Sequence, residues 1–179
     1  MEECVFSPLI KLNLDTIIAV FALLVSMIAL GLSVYFWQKS FRPIVTAMVK
    51  THRSGNVFTV FDLVILNSGT LPAKNIRLRV DQEGINAALG NDSGEEDKRR
   101  WLSCFEEDNI ISILHNNEKV SCSFGLTRPG DEGFWKYKAK IPITIEYEGW
   151  FGKKYIQNQE IQIMNSDSFT GFMWGEGST

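Results

Sequence analysis

Apolar positions along this chain fall into two regimes. Thr16 to Gln38, TIIAVFALLVSMIALGLSVYFWQ, is apolar nearly all the way round and carries no charge. From Ile44 onward, apolar and polar residues instead come in short runs, many of them alternating. The first regime predicts a helix as long as a bilayer needs, roughly 20 residues at about 1.5 Å each. The second predicts β-strands, whose side chains point alternately to opposite faces.

Taken in order, the second regime predicts seven strands. Phe41-Arg42-Pro43 ends the helix, because proline cannot continue it. Ile44 to Val49 is the first strand and His52 to Asn56 a turn. Val57 to Leu66, VFTVFDLVIL, is rich in β-branched and aromatic residues and reads as a buried central strand. After a turn at 67–72, Lys74 to Val80 alternates Ile76, Leu78 and Val80 with Arg77 and Arg79. Asn109 to Leu114 and Lys119 to Leu126 follow, then a Pro-Gly turn at 128–133. Lys138 to Tyr147 puts Ile141, Ile143, Ile145 and Tyr147 on one face, and Lys153 to Ile163 pairs back across a hairpin. Pro142 lacks a ladder donor and predicts an edge position or a bulge.

The predicted architecture is an all-β, immunoglobulin-like sandwich of about seven strands, preceded by one transmembrane helix. The layout is a short segment at 1–15, the helix at 16–38, the sandwich at 43–164 and an aromatic tail at 165–179. The stretch 82–108 interrupts the strands with Gly84, Gly90, Gly94 and a mixed charge run. It reads as an acidic loop insertion with a solvated surface, with Trp101, Leu102 and Phe105 on one face of a short helix folded over the end of the sandwich.

VFDLVILNSGTLPAKNIRLRV carries an Asn-x-Gly turn (Asn67, Gly69) followed by Ala73, Asn75 and Ile76. This pattern resembles bacterial immunoglobulin-like domains, including the cell-adhesion-related CARDB type. The later IEYEGWFGKKYIQ, with Tyr147 and Tyr155 flanking a glycine loop, resembles the last hairpin of such sandwiches. One anchor, an Arg-Pro exit and this sandwich together are similar to small membrane-anchored bacterial proteins. The resemblance implies a fold and no particular chemistry, because its motifs specify turns.

The helix has features of its own. Glu2, Glu3 and Asp15 outnumber Lys11 ahead of it, and Tyr35, Phe36 and Trp37 close it as an interfacial belt. Both argue for an uncleaved anchor rather than a signal peptide. Lys39, Arg42, Lys50 and Arg53 follow it against Lys11 before it. That bias predicts a single-pass protein of the plasma (inner) membrane, with its amino terminus outside and the β-domain cytoplasmic. Ala19, Ala22, Ser26, Ala29 and Ser33 recur at spacings of three and four and form one small-residue stripe. Small residues let helices approach closely in lipid, so the stripe is the candidate helix–helix interface.

Composition narrows the chemistry. The 179 residues carry a formal charge of -3, and the charges up to Arg42 cancel, leaving the same balance for the sandwich and tail. No basic field points to nucleic acid. Cys4, Cys104 and Cys122 give no metal or disulfide pattern; the one bridge they allow is Cys104–Cys122, and free thiols are expected. His52 and His115 supply no nucleophile–base arrangement beyond a conceivable His115–Cys122 pair. The acidic insertion lacks calcium-loop spacing. No catalytic residue, cofactor site, metal site or small-molecule substrate is therefore expected.

Apolar residues do occur where polar ones belong. Trp150 and Phe151 sit at a hairpin tip, and Phe169, Phe172 and Trp174 lie in the tail. These five are the candidate contacts to a partner or to the membrane surface. The expected partners are the bilayer and either further copies of this chain or another membrane protein. The expected function is a membrane-anchored binding or assembly module. The alternative is an oligomeric effector that perturbs the bilayer or forms a pore, for example in antiphage defence.

Overall fold

The computed structural model describes residues 14–150 and 152–166. Helix α1 runs Leu14–Ser40 over 27 residues, about 40 Å at the helical rise. Leu, Ile, Val and Ala dominate it, and no proline lies within it. Asp15 in its first turn and Lys39 in its last match the helix dipole. No residue of α1 is buried, and it is long and apolar enough to cross a membrane.

From Phe41 onward the chain forms a second unit. Its strands are β1 (Val45–Ser54), β2 (Thr59–Asn67), β3 (Ala73–Val80), β4 (Ile111–Leu114), β5 (Lys119–Thr127), β6 (Lys140–Glu148) and β7 (Lys154–Gln162). They form two antiparallel sheets, β1-β2-β5 and β4-β3-β6-β7. The core lies between them. Phe61, Leu63 and Ile65 of β2, Ile76 and Leu78 of β3, and Ile141, Ile143 and Ile145 of β6 meet there with Phe124 and Trp135. The alternation predicted for β3 and β6 is thus the burial pattern observed.

The two flanks close differently. Between β1 and β7, the Gln159 amide bonds both backbone groups of Ala47, and Thr51 bonds Asn165 and Ser166. Between β4 and β5, the short β4 leaves room that the 82–108 insertion fills. Trp101 packs edge-on against Phe134 at 4.8 Å and Phe105 against Phe124 at 6.0 Å.

Several expectations need correcting. The insertion is more ordered than a loop: it carries α2 (Gln82–Ala88), α3 (Glu95–Trp101) and a 3-10 turn at Ser103–Phe105. Ile85 and Ala88 are buried, and that apolar pair stabilises α2 despite Gly84 in its middle. The turn expected at 52–56 begins later, because β1 continues to Ser54 after a bulge between Thr51 and Arg53. Pro142 is not on an edge strand, since β6 lies between β3 and β7. Val80, the last residue of β3, pairs with Ile143. Pro142 therefore lies just past the ladder that would need its donor, against Gly84 of α2.

Candidate functional site

In α1, the stripe Ala19, Ala22, Ser26, Ala29, Ser33 repeats every three and four residues. That mean period of about 3.5 keeps the seam facing one partner in a left-handed pair. It runs for about 21 Å of the helix. The Ser26 hydroxyl donates to the Ala22 carbonyl at 2.8 Å, so its polar group is satisfied within the helix and the stripe presents a smooth face. Around the rest of the helix Phe21, Leu23, Leu24, Ile28, Leu30 and Leu32 are exposed.

The second place of interest is the end of the sandwich at which the chain arrives from α1. Asn67 is fully buried there and uses every side-chain bond it has. Its Oδ1 accepts from the Ile44 N–H at 3.2 Å and the Gly69 N–H at 3.0 Å. Its Nδ2 donates to the Leu71 and Leu114 carbonyls at 2.8 and 3.0 Å. One amide thus joins the start of β1, the β2–β3 turn and the end of β4. At Gly69 a Cβ would stand 2.4 Å from both the Arg42 oxygen and the Ile44 nitrogen, so only glycine lets the two backbones meet. The Asn-x-Gly motif is more than a turn signal: it clasps residues 42–44, the first part of the sandwich.

Tyr147 completes this junction. Its ring stacks on Tyr155 at 5.3 Å, and its hydroxyl donates to the Pro43 carbonyl at 3.4 Å. Burial pushes the Tyr147 phenol above its ordinary pKa, so it stays a donor. Asn75 has a left-handed backbone, φ 51°, at the bulge where β3 shifts register against β6. Asparagine tolerates that geometry, and its side chain donates to Glu148 at 3.1 Å.

At the same end, the hairpin loop between β6 and β7 presents Trp150, 52% exposed. The Lys74 ammonium lies 4.2 Å from its ring centroid, a cation–π geometry. Arg42, Lys119, Lys153 and Lys154 are exposed around this end, against Glu118 and Glu148. Phe151, Phe169, Phe172 and Trp174 lie outside the described residues, as do Cys4 and the segment before Leu14.

Possible chemistry is sparse. Among the described residues no cluster of His, Cys, Asp and Glu could hold a metal ion. His52 pairs with Asp62 at 2.9 Å on the surface. The Cys122 thiol donates to the Leu63 carbonyl at 3.9 Å, and the backbone N–H of His115 donates to the Glu118 carboxylate at 2.9 Å. A cleft of about 380 Å³ at the opposite end, lined by Val57, Phe58, Arg128 and Tyr137, is open and shallow.

Trp135 is the residue that sequence reasoning missed. It is fully buried, its indole donates to the Phe124 carbonyl, and its ring packs on Phe124 and Phe134. The available signal was the adjacent pair Phe134-Trp135 in a segment otherwise rich in turn residues.

No curated protein matches this chain. Residues 9–166, which take in α1 and all seven strands, match the family described as Domain of unknown function (DUF8453), and the chain belongs to that family.

Proposed function

We propose that this chain is a single-pass membrane protein that works as a binding and assembly module. Its helix associates with further copies of itself, and its sandwich is held at the membrane surface to receive a partner. The observation that carries this reading is the contrast within α1: 27 residues with none buried, and one small-residue seam along them. An apolar helix of that length has to be covered by lipid or by other helices. The family match extends through the helix, which favours a permanent anchor over a removable leader.

The basic residues and Trp150 at the junction end suit an anionic, interfacial surface. Only Phe41 and Arg42 separate Ser40 from Pro43, a tether that reaches about 10 Å when extended. The Lys39, Arg42, Lys50 and Arg53 excess favours a cytoplasmic sandwich. A water-filled pore is disfavoured, because the seam offers only serine hydroxyls and Ser26 spends its own on Ala22.

The test is a bilayer self-association reporter on the full chain. Ala22→Leu with Ala29→Leu should lower the associated fraction severalfold, by separating the helices at two turns of the seam. An unchanged signal removes the seam from the proposal.

A further inference from the structure

Arg42, Lys74, Lys119, Lys153 and Lys154 gather at the junction end of the sandwich, at the entry to β1 and the starts of β3, β5 and β7. None of them forms an ion pair among the described residues. Cations elsewhere on the sandwich do: Arg79 with Glu146 at 3.2 Å, Arg128 with Asp92 at 3.0 Å and Lys140 with Glu160 at 2.9 Å. The acids at the junction end are spent on neutral donors. Glu118 accepts from the His115 N–H at 2.9 Å, and Glu148 from the Asn75 side chain at 3.1 Å. Lys74 and Lys153 instead lean on the rings of Trp150 and Tyr155, 4.2 and 5.5 Å from their centroids. An ammonium resting on a ring keeps N–H donors for an acceptor from outside.

We propose that this end of the sandwich binds the phosphate headgroups of anionic phospholipids. Lys74, Lys119, Lys153 and Lys154 donate to phosphate oxygens, and Trp150 sits at headgroup depth beside them. This contact rests on the membrane-anchored reading above and gives its surface a ligand of stated chemistry.

Three observations favour lipid over an acidic protein as the occupant. Trp150 is half exposed among the lysines, and an indole beside ammonium groups matches the amphipathic headgroup layer. Pro43 follows the helix by two residues, a tether of about 10 Å when extended, close to the Debye length of about 8 Å over which an anionic surface is felt. The charge of the sandwich is also polarised. The 82–108 insertion carries eight acidic residues against three basic ones, and it is fastened to the far end through Asp92–Arg128 and the Gly90 N–H bond to the Phe134 carbonyl. An anionic surface attracts the junction end and repels the insertion.

The test places the full chain in nanodiscs of phosphatidylcholine with and without phosphatidylglycerol and follows amide hydrogen exchange. Amides of 115–119 and 152–154 should exchange about fivefold more slowly with phosphatidylglycerol, and high salt should reverse the effect. Lys119→Gln/Lys153→Gln/Lys154→Gln should abolish the slowing, whereas Lys98→Gln/Arg99→Gln/Arg100→Gln in the insertion should leave it intact. Incorporation into the disc reports the anchor separately, so a chain that incorporates but exchanges equally in both lipids overturns the headgroup site alone. Slowing that survives the triple lysine variant would also overturn it. So would slowing by added polyglutamate in phosphatidylcholine discs but not by phosphatidylglycerol, which would assign the cations to an acidic protein.

Discussion

Helix α1 and the sandwich solve the same problem in opposite ways. The sandwich hides its apolar side chains between its own sheets: Val45, Phe61, Leu63, Ile141 and Ile145 have no exposed surface. The helix hides none, and Phe21, Leu23, Ile28 and Leu30 are each more than 60% exposed. Hydrophobic burial stabilises a fold only where something removes the surface from water. For the sandwich that cover is internal, so its stability is written into its own contacts. For the helix the cover has to come from outside the described chain. The stability of one part and the association of the other are therefore separable, and substitutions should move one without the other.

The largest effect should come from the clasp. Asn67→Ala leaves the Ile44 and Gly69 N–H groups and the Leu71 and Leu114 carbonyls without their partner. That should cost about 4 kcal/mol. Urea unfolding followed by tryptophan fluorescence should show the loss, while far-UV circular dichroism still reports the helix. Simultaneous loss of both signals would mean that the two parts are not separable.

Trp101→Ala tests the insertion as part of the core. Its edge-on contact with Phe134 and half-buried ring should be worth about 2–3 kcal/mol. A cost below about 0.5 kcal/mol would return the insertion to the status of a surface loop.

Tyr147→Phe sharpens the junction. Folding raises the Tyr147 pKa, so its contribution is complete below the unfolded value of about 10 and is lost as pH rises through the folded value. The variant should be about 1 kcal/mol less stable at neutral pH for want of the Pro43 bond. Above about pH 10 it should lose less stability than the parent chain, as thermal melts at several pH values would reveal.

Trp150→Ala should be the mildest, changing the stability of the sandwich by no more than about 0.5 kcal/mol. Its ring is half exposed and meets Lys74. A large loss of stability would make Trp150 a core residue in disguise and remove it from the surface contacts.

Most strands were legible because a half-buried strand writes its two faces into alternate positions, as Ile141, Ile143, Ile145 and Tyr147 do. The helix was legible because its apolar run is unbroken. The failures share a cause, in that the deciding contact lay far along the chain. Pro142 looked like an edge residue because the end of β3 at Val80 is invisible from its neighbours. His52 to Ser54 looked like a turn because β1 is an edge strand whose last residues are polar and exposed. Trp135 depends on Phe124 and Leu89, and nothing local announces them. The Asn-x-Gly motif was read correctly as turn chemistry, yet its grip on residues 42–44 needed the fold.

Self-association through the small-residue seam is the central proposal for the helix. The direct measurement is energy transfer between donor- and acceptor-labelled full chains in liposomes at fixed protein-to-lipid ratio. Wild type is compared with Ala22→Leu/Ala29→Leu and with Leu24→Ala/Leu32→Ala, a control off the seam. The account predicts that transfer falls severalfold in the seam variant and stays near wild type in the control. Equal transfer in all three, or loss only in the control, would contradict it.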